Sequence, residues 1–142
     1  MHASAVLTGN RAVLIRGPAG SGKTRLALAL IAAVGTAPIR FARLVADDRV
    51  ELSALHGRLL VRPPATLAGL IEMRGVGILR LPFEAVAVVG LVVDLAAADA
   101  ARMPAESAQS VEIDDVRLPR LAVAAGADPL PAVLATLESE AT

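Results

Sequence analysis

The chain has 142 residues, 55% of them hydrophobic, with no cysteine, only two aromatic residues and a formal net charge of zero. This composition predicts one domain over residues 1–142 with a core of Val, Leu, Ile and Ala, and excludes disorder, disulfides and thiolate metal sites. Neutrality and the lack of stacking aromatics beyond Phe41 and Phe83 argue against nucleic acid, and no apolar run is long enough to span a bilayer. With no secretion-signal pattern after Met1, a soluble cytoplasmic protein with no membrane partner is expected.

Along the chain, His2 to Leu7 and Ala12 to Arg16 read as strands around a Gly9-Asn10 turn. Gly17 to Thr24 follows, and then Arg25 to Val34, rich in strong helix formers, with Gly35 as a terminator. After a loop at Thr36-Ala37-Pro38, Phe41 to Ala46 is expected as a strand that delivers Asp47-Asp48 at its carboxyl end. Val50 to Leu52 and Arg58 to Val61 are short strands about a His56-Gly57 turn. Leu67 to Met73 is ambiguous between helix and strand, because a short apolar run carries no decisive period. Ile78 to Leu81 and the Val-rich Val86 to Leu95 are strands, and Ala96 to Ser110 is a loop or short helix. Val111 to Ile113 and Leu121 to Ala124 are late strands, and Leu130 to Leu137 is a final helix after Asp128-Pro129. The sum is an α/β chain with a mixed sheet rather than a regular strand–helix alternation.

Gly17-Pro18-Ala19-Gly20-Ser21-Gly22-Lys23-Thr24 fits the P-loop pattern in full, between a predicted strand and a predicted helix. Glycines let successive amides point at phosphate oxygens, and the helix offers its positive dipole end to the same anion. Lys23, the only lysine in the chain, would reach the β- and γ-phosphates of ATP, and the Thr24 hydroxyl would bind Mg²⁺. Magnesium also takes carboxylate oxygens, for which Asp47-Asp48, Glu72 and Asp94 are the candidates. If the strand stays extended, Asp47 and Asp48 look to opposite sides. One of the pair would hold the metal while the other accepts a proton from the attacking hydroxyl. His56 reads as a surface turn residue.

Four segments in order, His2-Ala3-Ser4, Gly17 to Thr24, Val45-Ala46-Asp47-Asp48-Arg49-Val50 and Glu72-Met73-Arg74-Gly75-Val76-Gly77-Ile78, resemble the catalytic domain of bacterial HPr kinase/phosphorylase. The resemblance covers His2 to about Ile78 well and continues more weakly beyond. It implies a phosphoenolpyruvate-carboxykinase-like P-loop fold and ATP- and Mg²⁺-dependent phosphorylation of a serine on HPr, the phosphocarrier protein of the phosphotransferase system. It further implies removal of that phosphate with inorganic phosphate, and a homo-oligomer, hexameric in the family. By the same resemblance His2 is the active-site histidine, Lys23 binds phosphate, Thr24 and Glu72 serve the metal, and Asp48 accepts the proton with Asp47 beside it. Since the sequence opens at the His motif, a short form without the family's usual N-terminal domain is expected. Leu81 to Val89 has no basic residue where the family carries a basic loop, and Gly126-Ala127 lacks a following arginine. The expected function is therefore a serine kinase acting on an HPr-like carrier. The alternatives are a P-loop kinase of a small-molecule hydroxyl and a catalytically reduced ATP-binding regulatory module.

Overall fold

The computed structural model describes residues 1–36 and 38–141, with side chains described through Ser139 apart from Ala37. The loop expected at Thr36 to Pro38 thus falls partly outside the described residues.

Ten strands and two α-helices are formed among the described residues. Strands β1 (Ala3–Thr8) and β2 (Arg11–Arg16) form an antiparallel hairpin, followed by α1 (Lys23–Ala32) and β3 (Ala42–Ala46). Strands β4 (Glu51–Leu55) and β5 (Arg58–Arg62) turn at His56-Gly57, where both central residues have positive φ, the geometry that suits strand twist. A separate hairpin pairs β6 (Leu70–Met73) with β7 (Gly77–Arg80), which resolves the ambiguous Leu67–Met73 run as a strand after a short 3₁₀ turn at Ala65–Leu67. The long β8 (Ala87–Asp94), then β9 (Ser110–Ile113), β10 (Val116–Ala122) and α2 (Leu130–Ala141) complete the chain.

The main sheet runs β3-β1-β2-β8-β10-β9, and the β4–β5 hairpin joins it through β5 on the first half of β8. Strands β2, β8 and β10 are parallel and finish level, with Arg16 beside Asp94 and Asp94 beside Ala122. Strand β1 runs against β2, and β3 against β1. These reversals bring the start of β1, the end of β2 and the end of β3 to one edge. Segments far apart in sequence, His2 to Ser4, the glycine-rich loop and Asp47-Asp48, therefore meet there. Ligands in such sheets bind at the carboxyl ends of the parallel strands.

Alternation along β2 explains the layers. Ala12 and Leu14 face one core, shared with Val50, Leu59 and Val61 from the β4–β5 region and with Ile113 and Leu118. Val13 and Ile15 face the other, under Leu26, Ala27 and Leu30 of α1 and Val133 of α2. A helix of ten residues is marginal alone in water. Burial of Leu26 and Leu30, worth roughly 2–3 kcal/mol each, holds α1 on the sheet and aims its N-terminus at the edge.

The late strands differ from expectation. Strand β10 begins at Val116, ahead of the expected Leu121, and contains Pro119. Its first residues pair only with β9 and its last only with β8, so the missing proline N–H falls at the change of partner.

Candidate functional site

The glycine-rich loop leaves β2 directly. Ser21 N–H donates to Pro18 O at 3.0 Å, and Leu26 N–H to Gly22 O at 2.9 Å, so the loop passes into α1 with no intervening residue. Gly22 is the N-cap, at φ 101° and ψ 21°, and offers no side chain to the free amides of the first turn. No acidic residue occupies that turn, so its partial positive charge is available to an anion. Lys23 is 7% exposed, and its Nζ donates to Gly17 O at 2.8 Å and Pro18 O at 3.2 Å, which stations the ammonium inside the loop.

Two glycines explain the loop's shape. A Cβ at Gly17 would lie 2.5 Å from Ser21 Oγ and 3.1 Å from Leu95 Cβ, so the loop closes tightly only over glycine. At Gly22 a Cβ would meet nothing within 4 Å, but the backbone conformation disfavours any side chain.

Beside the loop, Thr24 Oγ1 donates to Asp47, lying 2.9 Å from Oδ1 and 3.1 Å from Oδ2. Ser4 Oγ donates to the same Oδ1 at 2.8 Å and accepts the Asp48 N–H at 3.1 Å. Ser4 is fully buried and Asp47 only 9% exposed. Asp48 has φ 65°, a left-handed conformation that Asp tolerates better than most residues. With that turn the pair is not extended, so the condition under which the two acids would look to opposite sides is not met. Strand β3 ends at Ala46, and both carboxyl residues line one cleft of about 690 Å³. Lys23, Thr24 and Gly20 of the loop and α1 line it, as do Glu72 and Arg74 of the β6–β7 hairpin. Among the described residues no three acid or imidazole groups form a self-sufficient metal cage. Thr24, Asp47, Asp48 and Glu72 supply hard oxygens on the walls of one cleft, a donor set that fits Mg²⁺ completed by phosphate and water. The open glycine loop and buried ammonium likewise fit a triphosphate.

Exposed His2 is not among the cleft-lining residues. Its neighbours Met1 and Ala3 pair with Val50 and Asp48 through backbone hydrogen bonds, so strand alternation puts it on the Ser4 side of the sheet. Exposed His56 sits in the β4–β5 turn, as expected. Sequence reading missed the role of Ser4. The available signal was a lone hydroxyl in the apolar run Ala3-Ser4-Ala5-Val6, on a strand whose neighbours are all buried.

Asp94 is occupied otherwise. Arg16 donates to it from Nε at 2.7 Å and from a terminal nitrogen at 2.8 Å, and Arg120 Nε donates at 2.6 Å. Arg120 continues to Asp99 at 2.7 and 3.0 Å. Burial alone would push the Asp94 carboxyl up, but the Arg16 and Arg120 hydrogen bonds outweigh it and hold it below the usual carboxylate range. Its bonds to Asp99 and Asp94 raise Arg120 in turn. Asp94 is thus a strut behind the loop, with Leu95 N–H donating to Arg16 O at 2.8 Å. In the Leu81 to Val89 segment, Glu84 N–H donates to Leu44 O at 2.8 Å and the Glu84 carboxylate pairs with Arg43, tying that segment to β3. A second cleft, of about 640 Å³, lies at the opposite end of the sheet between Arg11, Ile39 and Leu118, and has no carboxylate in its lining.

Comparison with known proteins places the chain in a family. The family model described as HPr Serine kinase C-terminal domain matches residues 1–126. The HPr kinase/phosphorylase of Clostridium tetani is 40% identical over 70 residues, covering 49% of this chain and 21% of that protein. The HPr kinase/phosphorylase of Clostridium beijerinckii is 37% identical over 79 residues, covering 56% of this chain and 24% of that protein. The chain therefore spans about a quarter or less of the length of these relatives. The solved structure of the Hpr(Ser) kinase/phosphatase from Coxiella burnetii superposes with a TM-score of 0.75 at 26% identity, over 99% of this chain and 94% of that one.

Proposed function

Because the chain belongs to the HPr serine kinase C-terminal domain family, we propose that it is an ATP- and Mg²⁺-dependent serine kinase acting on an HPr-like phosphocarrier protein. The observation that carries this reading is the hydrogen bond from Thr24 of the glycine-rich loop to Asp47, which joins a phosphate cradle to an acid pair in one cleft. The mixed sheet and its likeness to the Coxiella burnetii kinase support a phosphoenolpyruvate-carboxykinase-like fold. Residues 1–142 act as a single kinase domain in this proposal. No helix of the described residues is long and apolar enough to cross a membrane, and we place the protein in the cytoplasm with its nucleotide.

In this mechanism the loop amides and Lys23 hold the triphosphate. Thr24, with Glu72 of the same cleft and Asp47 bonded to Thr24, would hold Mg²⁺, which would neutralise charge on the phosphates. Asp48 accepts the proton of the substrate serine as its oxygen bonds to the γ-phosphorus. The bond from that phosphorus to the β,γ-bridging oxygen breaks, and ADP leaves. His2, next to the Ala3 N–H that bonds to the Asp48 carbonyl, contributes in this proposal by orienting the incoming serine. The protein works as a homo-oligomer in this reading.

The test is transfer of labelled γ-phosphate to an HPr-like carrier, with a panel of hydroxylated metabolites alongside. Labelled seryl carrier supports the proposal. Transfer confined to metabolites would make the chain a small-molecule kinase, and tight ATP binding without any transfer would make it a regulatory module. Incubation of the labelled carrier with inorganic phosphate, scored for pyrophosphate, tests the separate phosphorolytic removal of that phosphate.

A further inference from the structure

Ser4 has no part in the function as described above, yet it is the most enclosed polar side chain at the site. Its residue is fully buried, and its one hydroxyl touches both acids: Oγ donates to Asp47 Oδ1 at 2.8 Å and accepts the Asp48 N–H at 3.1 Å. A hydroxyl has a single proton to give. Because Asp48 N–H already points at the Ser4 oxygen, that proton must go to Asp47, and the polarity of the chain of bonds is set.

Thr24 Oγ1 also spends its proton on Asp47. Its lone pairs therefore remain available to a cation. The Asp47 carboxylate, gripped by two hydroxyls, cannot swing out of plane without losing both bonds. Asp48 presents a different problem. Its left-handed backbone costs on the order of 1 kcal/mol for a residue with a Cβ. The turn persists because its N–H is held by Ser4 and its carbonyl accepts Ala3 N–H at 3.1 Å. Both holding groups lie at the start of β1, which the β1–β2 and β1–β3 ladders fix rigidly.

We propose that Ser4 is a positioning residue that divides the labour of the acid pair. One end of its hydroxyl locks Asp47 against Thr24 on the metal side, and the other holds the turn that carries Asp48 into the cleft. This rests on the kinase reading for the tasks of the acids, but the positioning itself is a statement about this chain's geometry and can be measured without turnover. Sequence position supports it as well. Ser4 is paired with Ile15, two residues before the glycine-rich loop, so one strand register sets the loop and both acids together.

The experiment uses the full chain and the variants Ser4→Ala and Ser4→Thr, with ATP as the probe, in three measurements. Thermal melts establish that each variant folds. Amide exchange at Asp48, with Val6 in the same strand as an internal reference, reports the held turn. Calorimetric ATP affinity, with and without Mg²⁺, reports the metal side.

Ser4→Ala is expected to lose at least ten-fold protection at Asp48 while Val6 changes less than two-fold. It should bind metal-free ATP within two-fold of the unsubstituted chain and lose most of the affinity gained on adding Mg²⁺. Ser4→Thr, which keeps the hydroxyl, should retain both properties within about three-fold. A merely structural role would instead lower protection at Asp48 and Val6 together and weaken ATP equally with and without metal. That outcome overturns the proposal, as does a folded Ser4→Ala variant with unchanged Asp48 protection. If the unsubstituted chain gains no ATP affinity from Mg²⁺, the kinase reading fails, and the Asp48 exchange result still decides whether Ser4 holds the turn.

Discussion

Replacing Asp94 by Asn isolates the strut behind the glycine-rich loop. The wild-type carboxylate accepts from Arg16 and Arg120, and the side chains of Asp94 and Arg120 are only 14% and 13% exposed. Hydrogen bonds to charged groups contribute roughly 1.5–3 kcal/mol each, and removing one member of a buried pair costs about 3–5 kcal/mol. Arg16 is partly exposed and Arg120 keeps Asp99, so solvent and the remaining acid recover part of this. The expected loss is about 2–3 kcal/mol, or roughly 6–9 °C in Tm for a chain of this size. The pH dependence has a definite sign. Because the folded pKa of Asp94 lies below the unfolded one, its stabilisation is fully present above about pH 4 and is lost as pH falls through the folded value. Urea denaturation from pH 7 down to pH 3 should show a constant gap between wild type and Asp94→Asn that closes only below about pH 4. A gap under 0.5 kcal/mol at pH 7, or one that widens on acidification, would refute the reasoning.

Other perturbations test the loop and the acids separately. Gly17→Ala places a methyl 2.5 Å from Ser21 Oγ; fluorescent-nucleotide binding should weaken at least ten-fold, with a stability loss of about 1–3 kcal/mol from overpacking. Lys23→Ala removes the ammonium held by Gly17 and Pro18 carbonyls and should weaken ATP by roughly two orders of magnitude in calorimetry, in line with loss of a phosphate-directed charge. Asp48→Gly relieves the left-handed backbone, so chemical denaturation should show stability equal to wild type or higher by up to about 1 kcal/mol, while phosphotransfer is abolished.

The glycine-rich loop was readable because its chemistry is local. Glycines, lysine and threonine at fixed spacing between a strand and a helix carry their own geometry. The sheet class was readable for a similar reason, since Val86 to Leu95 has the apolar content of a strand flanked on both sides. What escaped depends on contacts between segments. Asp47 and Asp48 look alike in sequence, and only the φ of Asp48, held from β1, turns both toward one cleft. Asp94 has the setting of a metal ligand, yet Arg16 and Arg120, far away in sequence, claim its oxygens. Ser4 reads as a small residue in an apolar strand until β3 comes alongside. Strand β10 was expected only from Leu121; its earlier start, and the change of partner that accommodates Pro119, are properties of the assembled sheet.

The central claim is that the cleft transfers phosphate from ATP to a serine with Asp48 as proton acceptor. Its most direct test is labelled transfer to an HPr-like carrier by the wild type and by Asp48→Asn, with ATP affinity measured on the same samples. The account predicts seryl labelling by the wild type, a drop of about a thousand-fold in Asp48→Asn, and ATP affinity within three-fold between them. Equal labelling by both proteins, or none by a wild type that binds ATP with Mg²⁺, would contradict it.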